Sequence, residues 1–124
     1  MAERNLIGNG FNNSEDVSTG TTLTLAQSGI VQNITASVTT ALPAVATAIA
    51  GTQYIIRVGA PGKTVVIDCD GSDYIFGGGI ATPSDGKTIT FTNQPAGSFV
   101  KLISGGAGSA GYGIAEVSGT ITRE

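Results

Sequence analysis

The sequence has no tryptophan, no histidine, one cysteine and few charges. Each shortage excludes something. Without histidine, no Cys-His or Ser-His pair can activate a nucleophile. One cysteine, Cys69, excludes an internal disulfide. With no Trp and only 3 Tyr, the stacking platforms of a carbohydrate-binding sandwich are missing. Charged residues make up 12% of the chain and the net charge is -3, with no run of Lys or Arg. A binder of nucleic acid or anionic membrane needs a cationic stripe, and there is none. The one apolar run of note, over 41–51, is too short to cross a bilayer and carries Pro43. The start, Met1-Ala2-Glu3-Arg4-Asn5, lacks the basic and apolar segments of a signal peptide, so a chain that is cytosolic at synthesis is expected. The expectation is a protein that is not an enzyme. It would use no cofactor, metal or small-molecule substrate, and bind neither nucleic acid nor membrane.

What is present is glycine, at 19 residues, and short runs rich in Val, Ile and Thr. A chain of 124 residues is one domain. The runs are Tyr54-Ile55-Ile56-Arg57-Val58, Lys63-Thr64-Val65-Val66-Ile67-Asp68, Lys87-Thr88-Ile89-Thr90-Phe91, Ser98-Phe99-Val100-Lys101-Leu102-Ile103 and Tyr112-Gly113-Ile114-Ala115-Glu116-Val117. Gly, Pro, Asn or Asp bounds each of them, as in Gly59-Ala60-Pro61-Gly62 and Asp70-Gly71-Ser72-Asp73. That is the pattern of consecutive β-strands joined by tight turns. Alternation places Tyr54, Ile56 and Val58 on one face, buries Ile89 and Phe91, and buries Val100 with Leu102. Residues 118–124 read as a last short strand. The predicted fold is all-β, a compact antiparallel β-sandwich or jelly-roll-like domain over 21–124.

Residues 1–20 are rich in Asn, Gly and Ser, with isolated apolar Leu6, Ile7, Phe11 and Val17. They read either as a loose tail or as an extended arm that orders against a partner. From 17 to 56 there is no charged residue. Thr21-Thr22-Leu23-Thr24-Leu25 alternates like a half-buried strand, and 30–38 continues in the same style. Exposed edge strands are usually guarded by charge. Unguarded edges here imply a cover, supplied by the chain itself or by another subunit. In the second case Leu23, Leu25, Ile30, Val31, Ile34 and Val38 form the subunit interface. Segment 41–51 reads as a short helical segment opened by Pro43 and closed by Gly51, or as a loop.

Gly106-Ala107-Gly108-Ser109-Ala110-Gly111 fits a dinucleotide-binding pattern, but the helix, strand and acidic residue that should follow have no room. It reads as a turn. Asp68, Asp70 and Asp73 surround Cys69 without the order of a calcium loop, and Asp is an ordinary turn former. The same acids raise the thiol pKa and quiet it.

The succession of Ala41-Leu42-Pro43, Gly51-Thr52-Gln53-Tyr54-Ile55-Ile56-Arg57-Val58, Val65-Val66-Ile67-Asp68, Gly71-Ser72-Asp73-Tyr74-Ile75-Phe76-Gly77 and Ile89-Thr90-Phe91-Thr92-Asn93-Gln94, then of Val100-Lys101-Leu102-Ile103 and Tyr112 to Thr120, resembles a recurrent module of tailed-bacteriophage structural proteins. Here Tyr112-Gly113-Ile114 stands where that family often carries Trp-Tyr. The resemblance implies a homotrimeric virion protein. A Met-started chain of this length looks most like a capsid decoration (cement) protein on the capsid surface, whose partner is the major capsid protein. Leu6, Ile7 and Phe11 would then be the anchors of a capsid-binding arm. The alternative is a tail-fibre or tailspike module for receptor binding, with Tyr74-Ile75-Phe76 near an exposed tip.

Overall fold

The computed structural model describes residues 13–77 and 87–123. These are all-β, with one short 3-10 turn at Leu25–Gln27 and no α-helix among them. Among the described residues ten strands form two sheets. They are β1 (Ser14–Val17), β2 (Val31–Ile34), β3 (Thr39–Ala41), β4 (Gln53–Val58), β5 (Thr64–Asp68), β6 (Tyr74–Phe76), β7 (Thr88–Thr92), β8 (Phe99–Ser104), β9 (Gly111–Ser118) and β10 (Thr122–Arg123). The six-stranded sheet runs β1-β2-β4-β8-β9-β6, and the four-stranded sheet runs β10-β7-β5-β3.

The two orders interlock. The chain leaves one sheet for the other after almost every strand, so each crossing makes a rung that spans both. β1 with Thr22, which bridges to Ala41, is the first rung. β2 with β3 is the second, and β4 with β5 the third. β7 with β8, and β9 with β10, complete five. The first three run in the same direction: Ser14 pairs with Val31, Val31 with Ile55, and Thr39 with Val66, all in parallel. The last two alternate in direction, and β6 closes the far edge beside β9 in parallel.

This corrects the expected antiparallel arrangement: both sheets are mixed. A parallel neighbour needs a long connection, and here each return passes through the opposite sheet. The boundaries of β4, β5, β7, β8 and β9 follow the sequence reading closely, while β6 stands where an exposed tip was expected and the last strand is shorter than 118–124. The expected strand at 21–25 contracts to the single bridge at Thr22, because the 3-10 turn takes over at Leu25. Segment 41–51 is a strand end and then a loop, with one turn in which Thr47 and Ala48 both donate to the Ala44 carbonyl. The expected arm over 1–20 is shortened from its inner end, since residues 14–17 are a strand of the six-stranded sheet.

Alternate residues from the two inner faces meet in one hydrophobic cluster. Ile34, Tyr54, Ile56, Val58, Val100, Leu102 and Tyr112 come from the six-stranded sheet, and Val65, Ile67, Ile89 and Phe91 from the other. Leu23, Leu42, Val45 and Ala48 enter from the crossings. Each such side chain contributes about 1.5–3 kcal/mol on full burial, which is why strand phase decides the fold.

Two glycines are required for different reasons. Gly62 follows Pro61 with φ +77°, the left-handed position of a type II turn. A Cβ there would touch nothing closer than 3.8 Å. Gly111 has φ +155°, and a Cβ would collide with the Tyr74 carbonyl oxygen across the β6–β9 pairing. Gly62→Ala is therefore expected to cost about 1–2 kcal/mol, the left-handed penalty alone. Gly111→Ala should cost clearly more, because β6 must move. Urea denaturation of both variants measures the difference; equal losses would refute the steric account.

Candidate assembly surfaces

The side chains with chemical potential lie apart from one another. Cys69 is buried at the end of β5, and burial first, then Asp73, Asp68 and Asp70, pushes its thiol up to about 12, against a smaller opposing effect of Lys87. Asp73 is already engaged, since its Oδ2 accepts the Val45 N–H at 2.9 Å and ties loop 42–52 to the turn before β6. Asp68 accepts from the Thr88 hydroxyl across the β5–β7 pair at 3.4 Å. No group of three His, Cys, Asp or Glu side chains converges to hold a metal among the described residues. The Gly106 to Gly111 segment is a turn, closed by Ser109 N–H and hydroxyl on the Gly106 carbonyl.

What the molecule offers instead is faces. The outer face of the six-stranded sheet carries Val31, Ile55, Phe99 and Ile103, all half-buried, with Arg57 and Lys101 between them. Its polar flank is a ladder across three rungs. Asn33 donates to Asp16 Oδ1 at 3.0 Å, and Arg57 donates to Asn33 Oδ1 at 2.6 Å, following the register Asp16, Asn33, Arg57. The bond to Asn33 directs Arg57 toward β2. The outer face of the four-stranded sheet is different. Thr39, Val66, Thr90 and Thr122 stand in one row across its strands, with Thr64, Thr88 and Thr92 beside them.

The residues expected at a subunit interface divide into two groups. Leu23, Ile30 and Ile34 are buried within one chain, Leu23 and Ile34 in its core, and Val38 packs against that core. Their cover is internal. Leu25 is exposed on the 3-10 turn and Val31 is on the outer face just described. Leu6, Ile7 and Phe11 lie outside the described residues. Ile75 of the expected tip is buried in β6, with Tyr74 and Phe76 on its other face, their rings 6.1 Å apart.

The sequence reading passed over a polar group at the β1 end. Glu15 and Gln32 are neighbours in register on the inner face, and Gln27 reaches Glu15. A signal existed: Gln32 is in phase with Ile34, so alternation alone turns it inward. No protein-family model and no curated protein matches the chain.

The thiol and the two buried tyrosines set an alkaline limit. Burial raises the pKa of Tyr54, and burial aided by Tyr54, Cys69, Asp73 and Asp70 raises that of Tyr112 further. Below about pH 8.5 these groups are neutral whether folded or not, and their contribution is constant. Above it the unfolded thiol, then the phenols, ionise while the folded ones do not, so stability is lost as pH rises toward the folded values. The urea midpoint is expected to fall from pH 8 to pH 11, with a shallower fall in Cys69→Ala. At pH 8 the native thiol should resist alkylation until the chain is denatured. A midpoint flat to pH 11 would contradict the burial of these groups.

Proposed function

We propose that the chain is a structural virion protein: a trimeric β-sandwich that decorates the assembled phage head and cements it. The observation that carries this reading is the outer face of the six-stranded sheet, where the half-buried Val31, Ile55, Phe99 and Ile103 lie together with Arg57 and Lys101 among them. Three copies turn this face toward a common threefold axis. A specific interface of ordinary size buries about 1,600 Å², and a broad sheet face can supply such an area where a narrow edge cannot. The residues before β1, with Leu6, Ile7 and Phe11, then reach across neighbouring shell subunits. A protein that binds only the assembled shell stabilises that state by mass action. The phage assignment itself comes from the resemblance over residues 41–120; the face supports assembly.

A second reading, a trimeric tail-fibre or tailspike module for host receptor binding, draws on a different observation. Three rungs stack in the same direction, and such a stack extends along its axis by adding rungs without changing its interior. Copy number separates the two. Quantitative mass spectrometry of virions against the major capsid protein should give about one copy per capsid subunit for a decoration protein. A few copies per particle would select the tail.

Light scattering of the isolated protein should give a trimer. Ile55→Glu, on the half-exposed outer face, should give a monomer with an unchanged far-ultraviolet spectrum. A wild-type monomer, or a trimer indifferent to Ile55→Glu, would remove the face from the interface. Deleting residues 1–12 spares β1 and every core residue among those described. The shortened trimer is expected to persist and to lose shell binding at least tenfold in a sedimentation assay. Undiminished binding would discard the arm.

A further inference from the structure

At the β1 end of the stack the interior changes character. Along one column of the inner face, from third rung to first, the residues are Ile56, Gln32 and Glu15. Parallel strands covered on both faces ordinarily carry apolar interiors. Gln32 is fully buried. Its amide nitrogen donates to the Ile30 carbonyl at 3.2 Å, which fixes the amide and leaves Oε1 as the other end. That oxygen has no hydrogen-bond partner among the described residues.

Glu15 is half-buried beside it, and its Oε2 accepts from Gln27 Nε2 at 3.2 Å. Gln27 is oriented in turn, because its Oε1 accepts the Thr24 N–H at 2.9 Å. Glu15, Gln27, Gln32 and Thr21 line a cleft of about 400 Å³, and no Lys or Arg is among its described lining residues. Inward charges on edge strands often serve to discourage pairing with other chains, and Glu15 alone would fit that role. It does not account for Gln32, an acceptor one rung deeper that lines the same cleft.

We propose that this cleft is a binding site for a primary ammonium group. An ammonium has three N–H donors and no acceptor. Glu15 and Thr21 line the cleft, and Gln32 Oε1, buried behind them, is the third acceptor the group would take. Charge matches as well, with one inward carboxylate for one cation. Asp16 also borders the cleft, but its carboxylate is engaged by Asn33 on the outer face. A divalent ion, which prefers several carboxylate groups, would find one turned inward. The group can arrive as a free amine or as a lysine side chain of another protein; the chemistry is shared. The site is independent of the assembly reading and stands or falls without it.

Isotope-edited NMR of the full chain tests it. The probes are n-butylammonium chloride and a blocked pentapeptide with a central lysine, with tetramethylammonium chloride and sodium chloride as ionic controls. The side-chain amide signals of Gln32 and Gln27 should shift saturably with the two ammonium probes and not with the controls. Glu15→Gln should weaken binding about tenfold or more, as for loss of a charged hydrogen bond. Gln32→Leu keeps the inward volume, removes the orphan acceptor, and should abolish binding while raising the melting temperature. Equal affinity for both probes identifies a small-amine site, and a tenfold preference for the peptide identifies a partner's lysine; either supports the proposal. Shifts that tetramethylammonium reproduces, or binding unchanged in Gln32→Leu, would overturn it.

Discussion

With no tryptophan, and with Phe91 the sole phenylalanine in the described core, the interior depends on two tyrosine rings. Tyr54 on β4 and Tyr112 on β9 flank β8, fully buried, with centroids 6.1 Å apart and planes tilted by 57°. That is an edge-leaning geometry aromatic pairs prefer. Each hydroxyl then reaches a carbonyl in a crossing segment. Tyr54 donates to Thr24 at 3.1 Å, ahead of the 3-10 turn, and Tyr112 donates to Pro43 at 2.5 Å, in the loop between β3 and β4. A phenol hydrogen bond is worth about 1 kcal/mol net. The buried ring is worth about two or three times that, so the pair acts first as volume and second as anchor. Both functions are needed, because the crossings hold the rungs at a fixed spacing and have little regular structure of their own.

The strands were legible in the sequence because burial of one face imposes a period of two, which β4, β5, β7 and β8 keep throughout, while β9 departs from it at the bulge against Lys101 and Leu102. Ile56, Ile89, Phe91, Val100 and Leu102 are inside for that reason. The direction of pairing was not legible. Alternation is the same in parallel and antiparallel strands, and the rungs here differ in length: Ser14 to Val31 is 17 residues, Val31 to Ile55 is 24, and Thr39 to Val66 is 27. With no fixed period and no shared motif, the stack leaves no repeat to detect. The polar end of the interior was missed for a related reason. Glu15 fell within a stretch read as tail or arm, so its phase against Val17 went unweighed.

The charge-free stretch now has a physical explanation within one chain. Carboxylates occur at Glu15 and Asp16, on the edge strand of the six-stranded sheet, and the next charge is Arg57, on the third rung. Between them lie the crossings and the second rung, in which β2 is paired along both sides by β1 and β4, and β3, the last strand of its sheet, by β5 on one side and the Thr22–Ala41 bridge on the other. A strand covered on both sides has no free edge to guard and needs no lysine. The missing charge therefore reflects position in the stack, and Leu23 and Ile34 are apolar because the chain buries them itself. It follows that low charge in 17–56 is no measure of subunit contact. The weight of an assembly reading moves to residues that one chain leaves half-covered in spite of their chemistry, Val31, Ile55, Phe99 and Ile103, and these share one face of one sheet.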